Sequence, residues 1–229
     1  LKVRGKLSWV KLSFGTKVSL YFSSTLVILG AVAFYILESD NVLSGQSTTS
    51  SVVTSIFQSV SRTSGFSTVD FRNLSLPVLI MFLFLMFIGG SSSSTAGGIK
   101  ISTFALLYAS VISTITGKKQ AELFNHSIAN TLIGKALAVL MFFIVVNILA
   151  VALLSITEAD ILAQENRTMM DLIFEGVSAI GTVGLSMGIT SELSNAGRII
   201  ILLSMFIGRV GALLIAFSFF FVFSCGGHF

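Results

Sequence analysis

Phe57-Gln58-Ser59-Val60-Ser61-Arg62-Thr63-Ser64-Gly65-Phe66-Ser67 is a short polar run that closes on a glycine turn between two long apolar segments. A second run, Phe174-Glu175-Gly176-Val177-Ser178-Ala179-Ile180-Gly181-Thr182-Val183-Gly184-Leu185-Ser186, has the same plan. Each is a short amphipathic segment followed by Thr-x-Gly, an apolar residue and a serine. Apolar, polar with glycine, then apolar again, twice over, is the pattern of a re-entrant loop that enters a membrane and leaves by the same face. The copies lie 117 residues apart at Phe57/Phe174 and 119 apart at Thr63/Thr182, so their alignment needs a two-residue slip. Such duplication predicts pseudosymmetry about a shared axis.

Composition supports a membrane setting. The chain has 229 residues, 54% of them hydrophobic and 10% charged, with a mean hydropathy of +0.95. A soluble domain carries about 25% charged residues, so this chain has too few to solvate a globular surface. The lone Cys225 excludes a disulfide scaffold and offers no redox or metal motif. The net charge of +4 does not point to nucleic acid, because the basic residues flank apolar spans without interleaved aromatic platforms. Enzyme motifs are absent: Gly176-x-Ser178-x-x-Gly181 is one residue too long for a nucleophile elbow. The expected fold class is all-α, a polytopic membrane protein, and the expected protein is not an enzyme.

Four apolar spans frame the two half-loops. Lys2, Arg4, Lys6, Lys11 and Lys17 precede an uncharged run over 18–37, long enough to cross a ~30 Å hydrocarbon core, and Glu38 and Asp40 close it. The first half-loop occupies about 48–67, with its helix over 51–62. A second span begins at Leu74. Lys118, Lys119 and Lys135 precede the third span, 136–157, which Glu158, Asp160 and Glu165 close. The second half-loop covers about 168–186, and the last span runs from about 199 to 223, interrupted by Arg209. Lysine and arginine cluster before the first and third spans, which puts those ends on the cytoplasmic side and both half-loops at the outer face. The chain divides into two units, 1–117 and 118–229. Because it opens on Leu1 rather than Met, it reads as an excised portion of a longer polypeptide.

The second span has an unusual interior. After the dense apolar run 76–88 come Gly89-Gly90-Ser91-Ser92-Ser93-Ser94-Thr95-Ala96-Gly97-Gly98-Ile99-Lys100. Interior glycines each cost a helix about 1 kcal/mol relative to alanine. Backbone freed at membrane depth is tolerated only where it is buried in protein or lines water. The span is therefore expected to be a helix broken by a polar loop that faces a cavity. It is not a nucleotide P-loop, since Gly90 and Gly97 are too far apart and Ile99 separates Gly98 from Lys100. A mobile constriction fits its position: hydroxyls to satisfy backbone or hydrate an ion, glycines to let the loop move.

The half-loop turns carry the chemical expectation. Thr63, Ser64, Gly65 and Phe66, with Thr182, Val183, Gly184 and Leu185, have the make-up of a selectivity filter, in which backbone carbonyls replace an ion's water. Neighbouring carbonyls must face one axis, which demands backbone angles that favour glycine. The short helix before each turn would aim its carbonyl end at a cation. The bland alternative is a glycine turn between buried segments, and duplication in the same topological slot argues against it. Phe66 and Leu185 are expected either behind the filter or as core filler. Arg209, deep in an apolar helix, is expected to oppose a passing cation or to cap carbonyls of the 89–98 loop. Arg62 and Glu175 are expected to anchor their half-loops.

Thr63–Phe66, the run ending Ser94-Thr95-Ala96-Gly97-Gly98-Ile99-Lys100, Gly181-Thr182-Val183-Gly184-Leu185-Ser186-Met187-Gly188, and Met205-Phe206-Ile207-Gly208-Arg209-Val210-Gly211 together resemble the Trk/Ktr/HKT superfamily of potassium transporters. The resemblance covers nearly the whole chain and implies four M1–pore–M2 repeats around one filter, of which these two resemble the third and fourth. It implies that Thr63–Phe66 and Thr182–Leu185 supply half of a filter whose carbonyls bind K⁺, with Na⁺ as a second cation. By the same resemblance, Gly89, Gly90, Ser91, Ser92, Ser93, Ser94, Thr95, Ala96, Gly97, Gly98 and Lys100 form an intramembrane gating loop, and Arg209 is the positive charge facing the pore. The implied setting is the cell (inner) membrane. The implied partners are lipid, N-terminal repeats of the same polypeptide, a second copy, and a cytosolic nucleotide-binding ring. A sodium-coupled carrier and a non-conducting scaffold subunit stand as the competing readings.

Overall fold

The computed structural model describes residues 12–225 apart from 92, 93, 95, 119, 125, 165 and 166, and over 212–225 the helical backbone alone. Ser92, Ser93 and Thr95 of the expected loop lie outside the described residues.

Helix α1, Phe14–Leu37, forms over the first uncharged run; Ser13 caps it, accepting from the Thr16 amide at 3.3 Å. At 1.5 Å per residue it spans about 36 Å. Helix α5, Asn130–Thr157, spans about 42 Å by the same measure. Both are long and apolar enough to cross a membrane. Large apolar side chains remain exposed along them, among them Ile28 and Ile36 on α1 and Ile148 and Ile156 on α5. Water would not tolerate so broad an apolar surface, whereas hydrocarbon does.

Each long helix is followed by a short one: α2, Thr48–Ser61, after α1, and, after a single turn α6, Ala159–Leu162, helix α7, Met169–Ile180. Ser47 caps α2 through the Ser50 amide. At the start of α7 the Asp171 carboxylate accepts from both the amide and the hydroxyl of Thr168. The apolar run after the first turn is helical as α3, Leu76–Phe87, stops, and resumes as α4, Ile101–Ile115. Neither piece is long enough to span alone, at about 18 Å and 22 Å. The last helix, α8, is continuous over Asn195–Cys225.

Two buried glutamates set where α3 and α8 begin. Glu38, fully buried at the end of α1, accepts from the Ser75 amide at 2.8 Å and the Ser75 hydroxyl at 2.6 Å, one residue before α3. Glu158, at the end of α5, accepts from the Ser194 amide at 3.1 Å and hydroxyl at 2.5 Å, one residue before α8. A carboxylate at a helix N-terminus meets unpaired amides and the positive end of the helix dipole, which is why a buried charge is stable there. The sequence reading took both glutamates only as the polar ends of spans.

The core lies where α1, α3 and α7 meet. Phe34 and Phe82 pack edge-on at 6.1 Å, Phe82 and Phe71 at 5.1 Å, and Phe71 and Phe174 at 5.3 Å, so aromatic rings from both units form one cluster. Helix α7 packs against α3, α5 and α8. Helix α2 packs on α1, and its other side, with Val53, Ile56 and Val60, is exposed.

The all-α expectation needs one correction. Strands β1, Ala121–Leu123, and β2, His126–Ile128, form a small antiparallel hairpin in the basic connection. Three residues per strand is too short for the alternation that reveals a strand in sequence. It seats against the start of α1, with His126 edge-on to Phe14 at 5.1 Å and Phe124 edge-on to Tyr21 at 5.7 Å.

Candidate functional site

The C-terminus of α7 supplies the second turn. The Thr182 amide donates to Ala179 O at 3.0 Å and the Val183 amide to Ser178 O at 2.9 Å. This is the paired closure of a helix whose following residue is left-handed. Thr182 is that residue, at φ +49°, a position where glycine is usual. The Gly184 amide then donates to Ser178 Oγ at 3.2 Å, and Gly184 is itself left-handed at φ +93°. After α2, the Ser64 and Gly65 amides both donate to Ser61 O, at 2.9 and 3.2 Å, and Gly65 has φ +75°.

Both turns therefore draw their amides back toward the helix end. The carbonyls of 63–66 and 182–185 accept no hydrogen bond among the described residues. The turns also touch each other. A Cβ built on Gly65 would lie 2.3 Å from Val183 O and 3.1 Å from Gly184 Cα, so no side chain fits at Gly65. Behind the second turn, Val183 and Leu185 are buried in the shared core, whereas Thr182 is half-buried and Gly184 open. Phe66 differs from Leu185: it is 69% exposed and packs behind nothing described.

The interrupted helix lies directly against these turns. Its neck is closed by backbone: the Ile99 amide donates to Phe87 O at 3.1 Å, Gly89 N–H to Ile99 O at 2.8 Å and Ile101 N–H to Gly90 O at 3.0 Å. Arg62, the residue before the first turn, is 3% exposed and gives two bonds from one guanidinium nitrogen, to Leu85 O at 2.9 Å and Ile88 O at 2.7 Å. Lys100 Nζ donates to Ser94 O at 2.8 Å and Ala96 O at 2.7 Å. The Gly97 amide donates to Thr182 Oγ1 at 2.8 Å. The carbonyls freed by the interruption are thus held by two buried cations, as buried non-helical backbone requires.

Arg209 is not one of those cations. It is exposed, makes no hydrogen bond among the described residues, and sits close enough to Lys100 for like-charge repulsion. Of the 89–98 carbonyls, Ser94 O and Ala96 O are held by Lys100, while Arg62 holds Leu85 O and Ile88 O at the end of α3. Sequence position could not say which neighbour the Arg209 side chain meets. Its neighbour Gly208 marks a close crossing: a Cβ there would lie 2.0 Å from Ile180 O, so α8 rests on the carbonyl end of α7.

Two further groups hold the second turn. Glu175, 6% exposed, accepts from Ser186 Oγ at 2.9 Å and from Thr190 Oγ1. Arg72 reaches over from the first unit to donate to Met187 O at 2.6 Å and Gly188 O at 2.9 Å. Glu192 faces Arg72 at 3.9 Å and pairs with Arg167. In sequence, Arg72 signals only a return to water; its partners are more than a hundred residues away, and local spacing cannot reveal them.

Two short helices that each end in a turn with a left-handed glycine, packed among helices of which α1 and α5 are long and apolar enough to span, make the frame of a helical membrane protein. The chain belongs to the TrkH family of cation transport proteins, whose family model matches residues 6–223. It is similar to the Ktr system potassium uptake protein B of Bacillus subtilis, at 40% identity over 210 residues, covering 90% of this chain and 46% of that protein. It is also similar to the potassium/sodium uptake protein NtpJ of Enterococcus hirae, at 35% identity, covering 91% of this chain and 46% of that protein. The crystal structure of the potassium transporter TrkH from Vibrio parahaemolyticus shares the fold with a TM-score of 0.65 at 20% identity, covering 86% of this chain and 43% of that one. The chain thus spans less than half the length of the curated relatives named here.

Proposed function

We propose that this chain forms half of a potassium-selective pathway through the membrane, with a filter made by residues 63–66 and 182–185 and a gate made by residues 89–100. The observation that carries the reading is the meeting of two glycine turns with unbonded carbonyls on top of an interrupted helix. A partly dehydrated K⁺ binds the carbonyls of the two turns, favoured by the negative ends of α2 and α7. It passes inward when the Gly/Ser loop moves aside. Arg209, exposed beside that loop, adds a fixed positive charge that opposes cations until they are driven past it.

Two M1–pore–M2 units give half of a fourfold ring, α1–α2–α3/α4 and α5–α7–α8. Helix α7 is covered by α3 of the unit before it, and the matching side of α2 is apolar and uncovered. That face suits the inner helix of a preceding unit in the same polypeptide. The family resemblance further implies a pair of such polypeptides in a cell membrane and a cytosolic nucleotide-binding ring that moves the loop. Sodium is the competing cation, in keeping with the potassium/sodium name of the Enterococcus relative.

The test is rubidium uptake, with sodium as competitor, into liposomes carrying the full polypeptide or its Gly184→Ser variant. Serine at φ +93° strains the turn and shifts the carbonyls. Rubidium preference over sodium should fall at least about tenfold, the result of about 1.4 kcal/mol of lost discrimination. Unchanged preference in folded protein would remove the filter assignment.

A further inference from the structure

Thr63 and Thr182 occupy matching places in sequence, yet of the two only Thr182 is left-handed and, among the described residues, only Thr182 hydrogen-bonds to the interrupted helix. A β-branched residue at positive φ is strained by about 1–3 kcal/mol, and glycine there would remove that strain. What threonine supplies and glycine lacks is the hydroxyl, and that hydroxyl accepts from the Gly97 amide at 2.8 Å. The fit around this bond is close. A Cβ on Gly97 would lie 2.8 Å from both Thr182 Oγ1 and Cγ2 and 3.0 Å from Gly181 O. One on Gly181 would lie 2.9 Å from Met86 O.

We infer that Thr182 couples the loop to the turn above it: the seated loop, through Gly97 N–H, adds to the helix-end bonds to Ala179 O and Ser178 O in holding Thr182 left-handed, and so helps set the positions of the adjacent carbonyls. When the loop withdraws, the hydroxyl loses its donor and the strain is opposed by the helix-end bonds alone. Thr182 then relaxes toward ordinary backbone angles, and ion preference changes with loop position. Thr182 is in this sense a positioning residue acting through the backbone at 182–183. The coupling rests on reading residues 89–100 as the gate and 182–185 as part of the filter.

The experiment uses the full polypeptide in liposomes, with rubidium uptake against sodium, in four forms: parent, Thr182→Gly, and each of these with residues 91–94 deleted. Thr182→Ser serves as the conservative control. In the parent, deletion should raise flux and lower rubidium preference by about fivefold, one lost hydrogen bond's worth. In Thr182→Gly, whose turn needs no help to stay left-handed, deletion should raise flux while preference changes less than about twofold. Thr182→Ser should follow the parent. A second readout needs no transport: amide exchange over 96–98 should be about fivefold faster in Thr182→Gly than in Thr182→Ser. Equal exchange, or the same loss of preference on deletion in both backgrounds, overturns the coupling. If deletion leaves flux unchanged in folded protein, the gate reading fails and takes the coupling with it. If flux rises with no change of preference in the parent, the coupling alone fails.

Discussion

Replacing Arg62 with methionine tests the account of how the broken helix is held. The guanidinium is 3% exposed and donates to Leu85 O at 2.9 Å and Ile88 O at 2.7 Å. Hydrogen bonds from charged donors contribute about 1.5–3 kcal/mol each, so two are worth about 3–6 kcal/mol. Removing a buried charge acts in the opposite direction, because the desolvation penalty of the guanidinium disappears. The substitution, however, leaves two carbonyls unpaired at membrane depth, where each costs several kcal/mol, and methionine cannot pair them. Destabilisation therefore wins. Arg62→Met should lower the midpoint of thermal unfolding of the detergent-solubilised full polypeptide by roughly 5 °C or more. Arg62→Lys, a single compact donor group, should recover no more than about half of the loss. Rubidium uptake should fall in parallel, because Arg62 immediately precedes the turn at 63–66. A methionine variant that melts and transports like the parent would refute the claim that Arg62 holds the end of α3.

Glu158→Ala, and independently Glu38→Ala, should each destabilise the folded protein by about 2–4 kcal/mol, since each removes an amide and a hydroxyl partner at a helix start; the glutamine variants should be milder. Equilibrium unfolding in mixed micelles measures this, and an effect below about 0.5 kcal/mol at both positions would contradict the capping role. Gly208→Ala places a methyl 2.0 Å from Ile180 O, and that backbone atom cannot rotate away. Helix α8 must shift, at about 1–3 kcal/mol, and uptake should drop even where expression is unaffected. Lys100→Met frees Ser94 O and Ala96 O, so basal rubidium uptake should rise about fivefold or more if the loop is the barrier; a fall in folded protein would show that Lys100 serves the open form instead.

The order of long and short helices was legible because long apolar runs and the polar, glycine-bearing breaks between them both show in the sequence. The break in the run after Leu76 was legible for the same reason: it stops at Phe87 and resumes at Ile101. Long-range pairing was not legible. Of the two roles expected of Arg209, capping of the loop carbonyls falls to Lys100 at Ser94 O and Ala96 O, since position along a helix does not say which way a side chain points. Phe66 and Leu185 follow matching glycines, but Leu185 is buried while Phe66 is exposed. What separates them is how much of the chain packs around α7 and how little around α2. Glu38 and Glu158 looked like ordinary ends of spans, because their serine partners lie 37 and 36 residues on. The hairpin at 121–128 fell below the length at which alternation can be read.

The buried acids have a consequence for any cation in transit. Glu38 and Glu158 are occupied by helix starts, Asp171 by Thr168 and Arg167, and Glu175 by Ser186 and Thr190. A free carboxylate beside the route would act as a sink, holding an ion far longer than a neutral oxygen does. With each of these carboxylates already occupied, an ion bound as proposed at the turns meets weak dipoles there and can leave as readily as it arrives. On the proposed reading of residues 89–100 as the gate, traffic is set by the movement of the loop rather than by the strength of any one site.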